Sequence, residues 1–157
     1  MAISRMETRQ ATLSDVDAIR RLTREAYAKW VPLIGREPAP MTADYQIAVK
    51  QNRFDLLLVE GTLAALIETI DEEDQLLIEN VAVAPKFQNQ GFGRTMLAHA
   101  ESLAQSLGRS RVRLYTNKRF TENIRLYERL GYGVDREEDM GFGVRVHMSK
   151  AVGEGIS

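Results

Sequence analysis

Along this chain the spacing of apolar and polar positions changes from segment to segment, and the changes mark its elements. Met6 to Ala11 reads as a short first strand. Ser14 and Asp17 fit a capping pair, with Asp where Glu is usual. Val16, Ile19, Leu22, Ala26 and Trp30 recur at helical spacing and predict a helix from about Asp15 to Lys29. Pro32, Gly35, Pro38 and Pro40 then predict a loop, because proline removes a donor and breaks helices. Thr42 to Lys50 can restart a helix. Two apolar runs, Phe54 to Glu60 and Leu63 to Ile70, flank Gly61-Thr62 and read as a hairpin. Asp71 to Asp74 read as a solvated turn. Leu76 to Ala84 is a strand ending at Pro85, followed by a glycine-bearing loop, Gln88 to Gly93. The next helix has Met96, Ala100, Leu103 and Leu107 as its buried stripe and Gly108 as its stop. Arg111 to Thr116 is a strand with alternating Val112 and Leu114. Thr121 to Leu130 is a helix stopped by Gly131. Tyr132 to Glu138 and Phe142 to Ser149 close the chain as a strand pair around Gly141.

The expected order is therefore β-α-α-β-β-β-α-β-α-β-β. It describes a mixed α/β fold: a central, mostly antiparallel sheet of about seven strands flanked by about four helices. The middle strand–loop–helix–strand should be a parallel, right-handed crossover. No linker interrupts the pattern, so residues 1–152 are read as one domain and 153–157 as a frayed tail. A length of 157 residues, 44% hydrophobic and 27% charged, suits one soluble domain. The net charge of −1 gives no argument for nucleic acid or an anionic membrane as partner. Arg109, Arg111 and Arg113 cluster, and are read as a solvated strand face. The sequence has 0 cysteines, which excludes disulfides, thiolate metal sites and a cysteine nucleophile. Its 2 histidines, His99 and His147, have no carboxylate at metal-ligand spacing, so no metal is expected. No segment resembles a signal sequence or reaches the roughly 18 apolar residues of a membrane span. The expected location is cytoplasmic.

The sharpest local signal is Val81-Ala82-Val83-Ala84-Pro85-Lys86-Phe87-Gln88-Asn89-Gln90-Gly91-Phe92-Gly93-Arg94. A buried strand ends, a glycine loop turns, and a helix begins. N–H groups at a helix start lack intrahelical partners, and with the helix dipole they form an anion site. Glycines allow close backbone approach, and Asn89 tolerates a left-handed conformation. The loop lacks the Lys-Ser or Lys-Thr of a Walker loop. Met96 stands where the dinucleotide fingerprint needs glycine or alanine. An ordinary strand-to-helix turn remains the competing reading of the loop taken alone.

This loop resembles the signature of the GNAT superfamily of N-acetyltransferases: Arg or Gln, two residues, Gly, one residue, then Gly or Ala. Here it is Gln88, Asn89, Gln90, Gly91, Phe92, Gly93, with Asn89 where the family often has glycine. A second family element matches independently in Asn123-Ile124-Arg125-Leu126-Tyr127-Glu128-Arg129-Leu130-Gly131-Tyr132. The strong match covers Leu76 to Tyr132, and a weaker one takes in Arg9-Gln10-Ala11-Thr12 and the closing strands. The resemblance implies a GNAT-like fold, acetyl-CoA as cosubstrate and no metal. It implies that the backbone from Gln88 to Gly93, with Arg94 and Thr95, binds the pyrophosphate. The pantetheine arm would lie along Val81, Ala82 and Val83, pairing with backbone groups of Val81 and Val83. A backbone N–H near Val81 would polarise the thioester carbonyl.

Transfer from a thioester to an amine needs a neutral amine, donors for the oxyanion and a proton for the departing thiolate. The resemblance assigns the acid to Tyr127, and Asn123, four residues earlier on the same helix face, would touch the pantetheine arm or position that tyrosine. Read from the residues alone, Tyr127 is a core tyrosine beside Ile124, Leu126 and Leu130, and only the resemblance turns that reading to the acid. Glu79 is the candidate base. It interrupts an apolar strand, and alternation puts it on the face of Val81 and Val83. Partial burial would raise its pKa. The competing reading is a carboxylate exposed near the strand's start or bonded to a neighbour. Without a cysteine, transfer should be direct in a ternary complex.

The acceptor site should form from the loop after the first helix and from the final hairpin. Its candidates are Tyr27, Trp30, Arg36, Glu37 and Tyr45, with Glu137, Glu138 and Met140. Glu37 or Glu137 could attract an ammonium and Arg36 could clamp a carboxylate; each is also an ordinary surface residue. The expected acceptor is the primary amine of a small molecule. A protein lysine or N-terminus is the enzymatic alternative, and a non-catalytic acyl-CoA-binding module the alternative of another class. A homodimer paired through Phe142 to Ser149 is compatible with this reading.

Overall fold

A computed structural model describes residues 5–153. The strands are β1 (Met6–Gln10), β2 (Arg53–Val59), β3 (Thr62–Asp71), β4 (Leu76–Val83), β5 (Arg111–Asn117), β6 (Gly133–Asp139) and β7 (Val144–Ala151). They form one seven-stranded sheet in the order β1-β2-β3-β4-β5-β7-β6. β4 and β5 pair in parallel, and β5 with β7 and β6 with β7 pair antiparallel. The helices are α1 (Val16–Tyr27), α2 (Val31–Ile34), α3 (Ala39–Thr42), α4 (Tyr45–Gln51), α5 (Phe92–Ser106) and α6 (Thr121–Arg129). The sheet and the long helices match the expected mixed fold. The expected tail, past Gly153, lies outside the described residues.

Two compact units share the chain. Among the described residues, one takes in 5–69 and Asn80–Leu97, the other Ile70–Glu79 and 98–153.

In the first unit α1 buries Val16, Ile19, Leu22 and Ala26 against Tyr45, Phe54, Leu56, Leu66, Ala82 and Ala84. This is the stripe that the 3.6-residue period predicts. Removing a side chain such as Ile19 or Leu22 from water contributes about 1.5–3 kcal/mol. The capping pair falls two residues earlier than expected: the Thr12 N–H donates to the Asp15 carboxylate at 2.8 Å, ahead of a 3-10 turn at Leu13–Asp15. The expected proline loop is locally helical. Pro32 and Pro40 sit in the first turns of α2 and α3, where a missing N–H costs nothing. Arg24 Nη1 ties this segment to α1, donating to the Met41 carbonyl at 2.8 Å and pairing with Glu37 at 3.1 Å. The β2–β3 hairpin turns through Glu60 and Gly61, both at positive φ (50° and 77°), as a two-residue hairpin turn requires.

In the second unit the expected solvated charges are paired instead. Arg109 grips Asp71 with two bonds of 2.7 and 2.9 Å, and Arg113 grips Glu72 at 2.7 and 2.8 Å. Arg111 donates to the Ser149 hydroxyl at 2.8 Å. The partners lie 38 or 41 residues apart, a separation that no local pattern reveals. α6 ends at Gly131, whose φ is 99°. The Tyr132 N–H reaches the Tyr127 carbonyl at 3.0 Å and the Gly131 N–H the Glu128 carbonyl at 3.0 Å, a Schellman closure.

Candidate active site

In the first unit β4 runs into a left-handed loop and then into α5. Asn89 and Gly91 both have positive φ, 63° and 86°, as the sequence implied for Asn89. The Thr95 N–H closes the first helical bond on the Gly91 carbonyl at 3.0 Å. The N–H groups of Phe92, Gly93 and Arg94 therefore precede any intrahelical acceptor and form an anion-binding end. A Cβ at Gly93 would meet only Val83 Cγ2, at 3.8 Å, so space alone does not demand glycine there. Asn89, Gln90, Arg94 and Thr95 are exposed. These residues fit a pyrophosphate.

Gln88 works on the protein rather than outward. Its Nε2 donates to the Val83 carbonyl at 3.0 Å, and its Oε1 accepts from Lys29 Nζ at 3.3 Å. Gln90 Nε2 bonds the Lys86 carbonyl at 3.1 Å, and Phe87 meets Phe92 edge to face at 5.9 Å. Along β4, Glu79, Val81 and Val83 are half-buried while Asn80 and Ala82 are buried. Val81 and Val83 thus share the open face, and Ala82 turns into the core.

Tyr27, expected at the acceptor site, reaches β4. Its hydroxyl lies 2.8 Å from Asn80 Oδ1 and 3.1 Å from the Val81 carbonyl. One hydroxyl proton serves one acceptor at a time. Asn80 Nδ2 in turn lies 3.5 Å from the Tyr45 hydroxyl, which donates to the Pro40 carbonyl at 2.5 Å. Tyr45, 1% exposed, is therefore a core residue and not an acceptor contact. Trp30 is half-buried with the Lys29 ammonium 5.0 Å from its ring centre, and Glu37 is taken by Arg24. Arg36 is half-buried.

In the second unit β4 and β5 pair from Leu76↔Val112 to Ile78↔Leu114, and the ladder goes no further. Glu79 follows the last pair. Its Oε1 accepts a hydrogen bond of 2.7 Å from the Tyr115 hydroxyl. The Arg145 guanidinium lies 4.0 Å from the centre of the Tyr115 ring. Across the β5–β7 ladder Tyr115 faces His147, with ring centres 5.8 Å apart. His147 Nε2 lies 2.9 Å from Glu138 Oε1, and this bond holds the Glu138 carboxyl below the usual range. Glu137 is exposed and paired with Lys118 at 3.0 Å; Met140 sits in the β6–β7 turn, its N–H on the Gly143 carbonyl at 2.8 Å. Tyr115, Arg145 and His147 were not singled out from sequence. The outward alternation of Tyr115 with Arg111 and Arg113 was visible, but its level with Glu79 appears only once the parallel register is known.

α6 carries Asn123, half-buried, and Tyr127, buried. The Schellman closure sets the Tyr132 ring edge to face against Tyr127 at 6.1 Å. Burial pushes the Tyr127 phenol up to about 12, so it is a neutral donor at any working pH. Burial also pushes Tyr132 up, aided by the Glu101 carboxylate 3.2 Å from its hydroxyl. Among the described residues no cluster of three or more His, Asp or Glu could hold a metal ion. No described helix is long and apolar enough to cross a membrane.

The fold is shared with solved acetyltransferases. The PaiA N-acetyltransferase of Thermoplasma acidophilum, solved with coenzyme A, is 17% identical with a TM-score of 0.80, over 94% of this chain and 99% of that one. The ribosomal-protein-S18-alanine N-acetyltransferase of Escherichia coli is 20% identical with a TM-score of 0.75, over 98% and 99%. Ard1 of Thermoplasma volcanium is 18% identical with a TM-score of 0.73, over 95% and 99%. No curated protein is a significant match by sequence. The family model for the acetyltransferase (GNAT) family matches residues 16–132, well over half of the chain. With the left-handed loop, the open end of α5 and the order of strands, this match identifies the chain as a member of the GNAT acetyltransferase family, whose acetyl donor is acetyl-CoA.

Proposed function

We propose that this protein transfers the acetyl group of acetyl-CoA directly to a primary amine of a small molecule, with Glu79 as base and Tyr127 as acid. The observation that carries the reading is Glu79 itself. It is a half-buried carboxylate on the Val81–Val83 face of β4, held at one oxygen by Tyr115. The loop from Gln88 to Gly93, with Arg94 and Thr95, takes the pyrophosphate. Val81 and Val83 take the pantetheine arm, and the Val81 N–H polarises the thioester carbonyl. Asn123 touches the arm from α6.

The acceptor ammonium gives a proton to Glu79, directly or through a water. Its nitrogen then attacks the carbonyl carbon, the C–N bond forms and the C–S bond breaks. The sulfur leaves as thiolate against the Tyr127 hydroxyl, and the second proton shed by the nitrogen as it becomes an amide passes through that hydroxyl to the sulfur, giving free CoA. An ordinary thiol has a pKa of roughly 8.5, so a phenol at about 12 assists mainly by donating a hydrogen bond as charge grows on sulfur. The fastening of Glu37 and α3 to α1 by Arg24 supports a small acceptor, because an ordered cover suits a closed cavity better than an extended groove. Tyr27, Trp30, Arg36, Glu37 and Glu137 remain the proposed acceptor-side residues. The similar Escherichia coli protein is named for a protein N-terminal acceptor, so a peptide with a free α-amine belongs in the test.

The test is release of CoA thiol from acetyl-CoA with a panel of small amines and that peptide, in wild type and Tyr127→Phe. Amine-dependent release that falls at least tenfold in the variant, about 1.4 kcal/mol of transition-state stabilisation, is expected. Unchanged release in the variant removes the acid role. Peptide-only release replaces the small acceptor with a protein. CoA binding without any release makes the chain a binding module.

A further inference from the structure

We infer that Tyr115 is the positioning residue of the catalytic base: its hydroxyl holds one oxygen of the Glu79 carboxylate and leaves the second oxygen for the acceptor's ammonium. The inference rests on the reading of Glu79 as base.

The geometry is local to the second unit. Tyr115 donates to Glu79 Oε1 at 2.7 Å, an ordinary length for a hydroxyl-to-carboxylate bond. Among the described residues it is the one hydrogen-bond donor to that carboxylate. Parallel pairing accounts for the meeting, since Ile78 opposes Leu114 and the next residue on each strand is Glu79 and Tyr115. The phenol is fixed from its other side. The Arg145 guanidinium stacks 4.0 Å from its ring centre, and His147 opposes it on β7. A cation over the ring attracts the π electrons and strengthens the O–H as a donor.

A bond donated to a carboxylate favours its charged form over the neutral acid, so the pH profile of the rate is the readout that a merely structural role of Tyr115 would not move. The charged groups that face the pair are Arg113 of β5, itself held by Glu72, Arg145 and His147 of β7, and Glu138 of β6 on His147. The Glu79→Gln variant separates any limb owed to these neighbours from the one owed to Glu79.

The experiment is kcat/KM against pH for wild type, Glu79→Gln, Tyr115→Phe and Arg145→Met, using the panel amine that gives most thiol release. Glu79→Gln should lose most of the rate and the acidic limb. Tyr115→Phe should move that limb up by about one pH unit, since a bond to a charged group is worth roughly that much. It should lose about tenfold in kcat/KM below the limb, rejoin wild type above it, and keep its KM for acetyl-CoA. Arg145→Met, which leaves the hydroxyl in place, should move the limb in the same direction by less. A limb unmoved in both Tyr115→Phe and Arg145→Met, or a loss in Tyr115→Phe that is uniform across pH, overturns the role of Tyr115 and leaves Glu79 standing. A Glu79→Gln enzyme with wild-type rate overturns the base, and Tyr115 with it.

Discussion

At position 91 the choice is between glycine and strain. Its φ of 86° suits few other residues, yet nothing lies within 4 Å of an added Cβ. The cost of Gly91→Ala is therefore conformational, about 1–2 kcal/mol. It falls on the loop that must stay left-handed to present its N–H groups. CoA should bind about 5- to 30-fold more weakly to this variant, as titration calorimetry would read, and unchanged affinity would detach the loop from the pyrophosphate. Asn89, at φ 63°, was legible in sequence because so few side chains tolerate that conformation. The bond from Tyr115 to Glu79 was not, because nothing in either residue's neighbourhood names a partner 36 positions away.

Where a helix stops decides where its side chains lie. α6 closes through Gly131 at φ 99°, and that closure brings Tyr132 onto Tyr127. A Cβ at Gly131 would meet Lys150 Cε at 3.3 Å, the flexible end of a side chain that can shift. Gly131→Ala should therefore cost about 1–2 kcal/mol from backbone strain, lower the melting temperature by several degrees and reduce turnover through displacement of Tyr127. A melting curve and a thiol-release assay on one preparation would show whether the two losses go together. The glycine stop was plain in the sequence, as was the apolar stripe of α1, because both follow from local period and backbone freedom. The single-turn helices α2 and α3 were not. Proline reads as a breaker wherever it stands, and only the structure shows that Pro32 and Pro40 occupy first turns.

Across the molecule the element order was legible and the lateral order of strands was not. The sequence runs β5, β6, β7, yet β7 lies between the other two. A pattern of apolar positions reports which faces are covered, and it is silent on which strand covers them. Charges behave alike: Asp71, Glu72, Arg109 and Arg113 looked solvated because their partners lie far along the chain. The Arg9–Asp15 pair shows what such a bond does to stability. Arg9 holds the Asp15 carboxyl at about 2, below its ordinary 3.8. A depressed carboxylate stabilises the fold above its ordinary pKa, and the gain is lost as pH falls from about 4 to about 2. Arg9 is 39% exposed, so the contribution is screened to about 1 kcal/mol. Wild type should exceed Asp15→Asn by that amount in urea unfolding at pH 7, and the gap should close near pH 2. A gap that persists there would assign the effect to the cap rather than the charge.

The Val81 carbonyl lies within reach of the Tyr27 hydroxyl and the Val83 carbonyl accepts from Gln88, so the main chain of this stretch is braced by side chains at other positions. A surface made of main chain has no residue identity for selection to preserve. Positions 81 and 83 can drift among side chains that suit a strand, and only a proline would delete an N–H. The descent of this chain should then be traceable less through the strand than through its keepers: the tyrosine, the glutamine and the two left-handed positions. That freedom is one way in which proteins 17% to 20% identical come to retain one fold.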